Sequence, residues 1–153
     1  MQQELTRINH ASVQKQFAEL PELKSVFSSC LKNPARALHL IGLASEGGVH
    51  SSLAHLLSLI ETALEAGVKK IYVHVITDGR DRPPTASVDE VSKLQIAISH
   101  WQPKYPDAEV GIVSVIGRYF AMDRDKRWER TQLAYELFTE GKGELHSDTT
   151  AAL

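Results

Sequence analysis

The 153-residue chain has one cysteine, Cys30, so no disulfide can form within it. That suits a reducing compartment, and a cytoplasmic location is expected. No apolar run approaches the roughly 18 residues of a membrane span. The polar start, Met1-Gln2-Gln3-Glu4, lacks the apolar stretch of a secretory signal. Neither sign of charge dominates: 17 Lys and Arg face 19 Asp and Glu, which leaves -2 and argues against a general nucleic-acid surface. Also absent are a Walker-type Gly-rich loop ending in Lys-Ser/Thr, a CxxC pair and an HExxH zinc motif. Asp123 and Asp125 alternate but lack the other ligands of a calcium loop. There is no internal repeat, low-complexity tract or long linker, and the length fits one domain with a real core.

What is present is an alternation of helical and strand patterns. Gln2 to Phe17 is mixed and reads as helical, with Thr6 or Asn9 as caps. A clearer helix starts at Pro21, which suits a first turn. Its apolar residues Leu23, Val26, Phe27, Cys30 and Leu31 recur with the period of one buried stripe, and Asn33-Pro34 ends it. Leu38–Leu43, Lys70–Ile76 and Val110–Ile116 read as strands. Ser52–Ala66, Ser87–Trp101 and about Lys126–Glu140 read as helices, closed at the first and last by Gly67 and Gly141. Ser87 and Glu90 have capping-box spacing. This order predicts an α/β fold: a three-layer, open, mainly parallel sheet with helices on both faces and right-handed crossovers. His39 and His74 fall inside strands, where a structural or sheet-face role is expected.

Ligands of an open parallel sheet bind outside the carboxyl ends of its strands. Three loops leave those ends: Ser45–His50, Asp78–Pro84 and Gly117–Asp125. Of eight arginines, six lie in or just after the last two: Arg80, Arg82, Arg118, Arg124, Arg127 and Arg130. Two arginines about 4 Å apart repel by roughly 4 kcal/mol at an effective dielectric of 20. Such a cluster requires aspartates or an anionic ligand, and a phosphate or carboxylate compound is the ligand it predicts.

Gly47-Gly48 lets the backbone turn sharply and approach a ligand, with His50 just before a helix N-terminus. Arg80 can fork onto a carboxylate or phosphate, and Asp81 can accept a proton or a hydroxyl hydrogen bond. Arg118 directly follows an apolar strand and a glycine, which favours a ligand role. Asp125, Lys126, Glu129 and Arg130 read instead as solvated, charge-paired residues at the next helix start.

At these loops the sequence closely resembles the cofactor-independent (2,3-bisphosphoglycerate-independent) phosphoglycerate mutases. The stretches that carry the likeness are Leu5–Asn9, Leu38–Leu43, Gly47–Ser51, Asp78–Asp81 with Pro83-Pro84, and Gly117–Arg130, above all the run Ala121–Arg130. The resemblance implies an isomerase of glycolysis and gluconeogenesis that interconverts 3- and 2-phosphoglycerate through a phosphoserine. It implies two metal ions, usually manganese, and no 2,3-bisphosphoglycerate cofactor. It also implies a phosphatase-like metal domain, absent here, into which a transferase domain is inserted. Residues 1–153 look like part of that inserted substrate-binding domain, incomplete at the C-terminal side, with Asp148–Leu153 read as cut within an element. Carried over by motif, His50, Arg80, Asp81, Arg118 and Arg124 would bind the phosphoglycerate, with Asp81 a catalytic acid/base for its hydroxyls. No metal ligand is expected in this chain.

Glu46, Ser52 and Arg82 depart from the pattern: many members carry Asp or a small residue, His, and Thr there. His55 keeps a later family histidine. The family's nucleophilic serine, its Asp and His metal ligands, and its later arginine motif and lysine have no counterpart in the 153 residues. Alone, the chain is therefore expected to be inactive and to self-associate through uncovered apolar surface. Its expected partners are the remainder of a mutase chain and the small-molecule substrate, with no nucleic acid or membrane. Two competing readings are a stand-alone binding module for phosphorylated or carboxylate metabolites, and a single-strand nucleic-acid binder using Tyr119, Phe120 and the arginines.

Overall fold

In the computed structural model, which describes residues 4–149, the elements alternate as the sequence pattern predicts. They are α1 (Glu4–Val13), a 3-10 turn (Gln16–Glu19), α2 (Pro21–Leu31), β1 (Leu38–Ala44), α3 (Leu53–Glu65), β2 (Lys70–Thr77), α4 (Ala86–Trp101), β3 (Glu109–Gly117), α5 (Arg118–Ala121) and α6 (Trp128–Glu140). The first two residues of the Gln2–Phe17 reading and the last four of Asp148–Leu153 lie outside the described residues.

The three strands form one parallel sheet in the order β1-β2-β3. Alternation along β2 sends Ile71, Val73 and Val75 to one face, all but inaccessible to solvent. There they meet Phe27 of α2, Leu53, Ile60 and Leu64 of α3, and Val91 and Leu94 of α4. The opposite face carries His74, which meets Phe138 of α6 edge-on. Helices thus lie on both faces, as expected. His39 and His74 occupy the sheet face, as read from sequence. They share a 2.9 Å hydrogen bond, and His74 continues to Ser114 Oγ at 2.7 Å. Burial, and then His39 beside it, push the His74 imidazole below its ordinary value.

Some local expectations are corrected. Thr6 and Asn9 lie inside α1 and do not cap it. Asn9 instead reaches across to α3, where its Oδ1 meets His55 Nε2. The capping box at Ser87 and Glu90 does not form. α4 begins one residue earlier with no side-chain cap. Ser87 Oγ donates to the Pro84 carbonyl, and Glu90 is buried elsewhere. α6 starts at Trp128, after Lys126 takes a left-handed φ of 59° that breaks the first turn read from sequence. The Gly117–Asp125 segment, a loop by its sequence pattern, contains a short helix, α5.

Candidate anion-binding cleft at the strand ends

β2 and β3 end side by side, with Thr77 opposite Gly117. The loops that follow enclose a cleft of ≈ 460 Å³ whose lining includes Arg80, Arg118, Arg124 and Arg130 with Asp78 and Asp123. Two aspartates organise these arginines, each in the same way.

Asp78 directly follows β2 and is buried. Its Oδ1 accepts the backbone N–H groups of Gly79, Arg80 and Asp81 at 2.7, 3.0 and 3.1 Å, so the loop wraps around one oxygen. Oδ1 also receives Arg118 Nη1 at 3.0 Å, and Oδ2 accepts the Ser45 hydroxyl at 2.7 Å. Burial pushes the Asp78 carboxyl up. The bonds from the Arg80 amide, the Ser45 hydroxyl, the Gly79 amide and Arg118 outweigh it and hold the group well below the usual carboxylate range.

Asp123 repeats the device in the next loop. Its Oδ2 accepts the N–H groups of Asp125 and Arg127 at 3.1 and 2.9 Å. Its Oδ1 lies 3.3 Å from Arg130 Nη1. Arg130 also stacks over the Tyr119 ring, 3.8 Å from its centroid. This corrects the reading of Arg130 as solvated: it is largely buried between Asp123 and Tyr119. Asp125, Lys126 and Glu129 are exposed, as read.

The arginines therefore fall into two groups. Arg118 is committed: Nη1 bonds both Asp78 and Asp81, the latter at 2.7 Å, and its side chain is only 12% exposed. Arg130 is committed to Asp123. Arg80 and Arg124 line the cleft and make no ion pair or side-chain hydrogen bond among the described residues. The sequence reading treated Arg118 and Arg124 alike, as a clamp, whereas only Arg124 of the two has its guanidinium free.

The Ser45–His50 loop lies beside Asp81, outside the cleft lining. Gly48 takes a φ of +66°, which a side chain would strain. Gly47 packs so tightly that an added Cβ would lie 3.2 Å from the Cβ of Asp81. This approach brings His50 Nε2 to 3.7 Å from Asp81 Oδ2. His50 does not line the cleft itself. It stands at the rim, joined through Asp81 and Arg118 to the arginines. The five residues named from sequence thus gather at one sheet edge, in two subsets: Arg80, Arg118 and Arg124 on the cleft, His50 with Asp81 beside it. Sequence reasoning missed Asp78 and Asp123 as organisers. An Asp followed by a tight turn was the available signal, since its carboxylate can accept amides one to four residues on.

Among the described residues no group of three or more His, Cys, Asp and Glu side chains is placed to hold a metal ion. The charged groups that line the cleft are guanidinium and carboxylate. No helix among the described residues is long and apolar enough to cross a membrane.

Asp78 makes a stability prediction with a definite sign. Its native carboxyl is held below the ordinary value of about 3.9, so its contribution is complete above that value. It is lost as pH falls through the lower native value. Asp78→Asn is expected to cost about 3 kcal/mol at pH 7, as loss of one partner of a buried pair does. The gap from wild type should narrow below about pH 4. Urea melts at pH 7 and pH 3 check both statements, and an equal gap at the two values contradicts them.

An α/β domain with unpaired arginines at the carboxyl ends of its strands presents positive charge where such sheets bind ligands. The family model described as BPG-independent PGAM N-terminus matches residues 8–153. The chain is 45% identical over 141 residues to the 2,3-bisphosphoglycerate-independent phosphoglycerate mutase of Parabacteroides distasonis, covering 92% of this chain and 26% of that protein. It is 44% identical over 147 residues to that of Listeria monocytogenes, covering 95% and 27%. The solved structure of Leishmania mexicana phosphoglycerate mutase at low cobalt concentration superposes with a TM-score of 0.88 at 27% identity, covering 97% of this chain and 27% of that one. The chain belongs to the 2,3-bisphosphoglycerate-independent phosphoglycerate mutase family and spans about a quarter of the length of these relatives.

Proposed function

We propose that this chain is the substrate-holding part of a phosphoglycerate mutase, a portion of its inserted transferase domain, and that it binds 3- and 2-phosphoglycerate. The observation that carries this reading is the pair of free guanidinium groups, Arg80 and Arg124, on one cleft beside the committed Arg118. A phosphoglycerate has two anionic ends, and two free forks match them. Asp81, fixed by Arg118 and next to His50, is the carboxylate that would accept a proton from the glycerate hydroxyl on this reading. These residues position the substrate and stabilise charge, which is what phosphoryl transfer needs from its binding half.

On this reading the nucleophilic serine and the two manganese ions belong to residues outside these 153, and 2,3-bisphosphoglycerate is not required. The chain alone binds without turnover. A cytoplasmic location, as for a glycolytic isomerase, goes with it. The alternative, a stand-alone module for phosphorylated or carboxylate metabolites, draws on the fact that the cleft arginines are already in place within this chain. Its short span relative to the mutases favours the first reading. Against the nucleic-acid reading, Arg130 stacks on one face of Tyr119, and Tyr119 and Phe120 pack at right angles to each other.

Calorimetric titration tests the proposal. 3-Phosphoglycerate is expected to bind at least tenfold tighter than glycerate or inorganic phosphate, since only it engages both forks. Equal affinity for phosphate and phosphoglycerate overturns the two-ended site. The chain alone is also expected to self-associate through the sheet face that bears Ile41, which is 58% exposed. Sedimentation of wild type against Ile41→Lys reads this out, and a monomeric wild type at 100 µM or so contradicts it.

A further inference from the structure

Glu90 of α4 is 1% exposed, although its spacing from Ser87 suggests a helix cap. Its Oε1 accepts the backbone N–H of Glu46 at 2.9 Å, across 44 residues of sequence. Glu46 begins the turn that carries Gly47, Gly48 and His50. Arg82 Nε lies 3.4 Å from the same oxygen without forming a hydrogen bond, and Glu90 Oε2 has no hydrogen-bond partner among the described residues. One turn further along α4, Lys93 Nζ grips the side chain of Glu46 at 2.7 Å.

A buried carboxylate with one oxygen unpaired is costly, and apolar packing would hold α4 more cheaply. Stability alone therefore does not account for Glu90. Its one good hydrogen bond goes to a loop amide. The loop is tied on the sheet side by Ser45 Oγ to Asp78 and Ser51 Oγ to the Leu43 carbonyl, and within itself by the Gly47 N–H to Ser45 Oγ. α4 holds it from another side through Glu90 and Lys93. The loop also lies close to Asp81, whose side-chain Cβ would be 3.2 Å from a Cβ added at Gly47.

We propose that Glu90 is a positioning residue for His50: through the Glu46 amide it sets the height of the glycine turn and so the approach of His50 to Asp81. Arg82, whose Nε lies 3.4 Å from Glu90 Oε1, is the countercharge of this buried carboxylate and not a further ligand-binding arginine. The inference rests on the proposed phosphoglycerate site for its functional meaning. The geometry it asserts is testable without ligand.

The experiment is NMR on the whole 153-residue chain. It follows amide exchange of Glu46 and the ring resonances of His50, with and without 3-phosphoglycerate. Glu90→Gln keeps an acceptor of the same length. It is expected to leave Glu46 exchange within threefold of wild type and the His50 signals in place. Glu90→Met keeps length and burial but no acceptor. It is expected to speed Glu46 exchange at least tenfold, relative to core amides of β2, and to move the His50 ring signals toward those of Asp81→Asn. Glu90→Asp keeps the charge on a shorter arm. It is expected to behave like Glu90→Met, and it carries the test if the methionine variant does not fold. Arg82→Thr is expected to leave 3-phosphoglycerate affinity within threefold. Unchanged His50 signals in both Glu90→Met and Glu90→Asp overturn the inference, as does a tenfold loss of affinity in Arg82→Thr. If His50 moves as stated while wild type binds no 3-phosphoglycerate, the positioning role stands and the substrate assignment fails.

Discussion

Arg118→Ala is expected to destabilise the chain by about 3–5 kcal/mol, the largest effect of any arginine replacement here. The reason lies in what it leaves behind. Arg118 Nη1 bonds Asp78 and Asp81 at once, and Asp78 is buried with its Oδ1 already wrapped by three amides. Without the guanidinium, two carboxylates face each other in a poorly solvated place. Arg118→Lys returns a positive charge but only a point one, so it is expected to recover no more than half of the loss. The double change Arg118→Ala with Asp81→Asn should recover part of it by removing one of the stranded charges. Urea melts of the three variants at pH 7 give the comparison, and an Arg118→Ala chain within about 1 kcal/mol of wild type contradicts the committed role given to this arginine.

Arg80→Ala and Arg124→Ala are expected to do the opposite. Neither side chain has an ionic partner among the described residues, so stability should stay within about 0.5 kcal/mol. Affinity for 3-phosphoglycerate should fall roughly 10- to 100-fold for each, the equivalent of one charge-assisted contact at about 1.5–3 kcal/mol. The pair changed together should abolish measurable binding. The separation matters more than either figure. Two arginines of the cleft, Arg118 and Arg130, are committed to the fold and two, Arg80 and Arg124, are kept for the ligand, so stability and affinity should respond to different residues. Calorimetry alongside denaturation reads both on the same preparations. A chain that loses stability with Arg80 or Arg124 contradicts the division.

Much of this arrangement was legible beforehand, for a physical reason in each case. The strands were visible because β2, covered on both faces, is an almost continuous run of apolar and β-branched residues, Ile71 to Ile76. α3 was visible because Leu53, Ile60 and Leu64 fall on one buried stripe. The gathering of His50, Arg80, Asp81, Arg118 and Arg124 at one edge follows from parallel topology alone, since each sits just beyond a strand end. What could not be read was which charge would meet which. Asp78, Asp81 and Arg118 are separated by up to 40 residues, and their pairing depends on the register of β2 with β3. Glu90 shows the same limit from the other side. Its spacing from Ser87 suggested a local cap, yet a buried environment and the distant Glu46 amide won. Arg130 looked like one member of a solvated charge run until α5 placed Tyr119 beneath it.

The central claim is that the free arginines of this cleft hold a phosphoglycerate while lacking the means to convert it. A ³¹P NMR titration of 3-phosphoglycerate with the purified chain, with magnesium present and followed over hours, tests it most directly. The account predicts that the substrate resonance shifts or broadens with added chain, that Arg80→Ala with Arg124→Ala suppresses the change, and that no 2-phosphoglycerate resonance grows. An unperturbed resonance at millimolar chain contradicts the binding claim, and a growing 2-phosphoglycerate resonance from a contaminant-free preparation contradicts the division of labour.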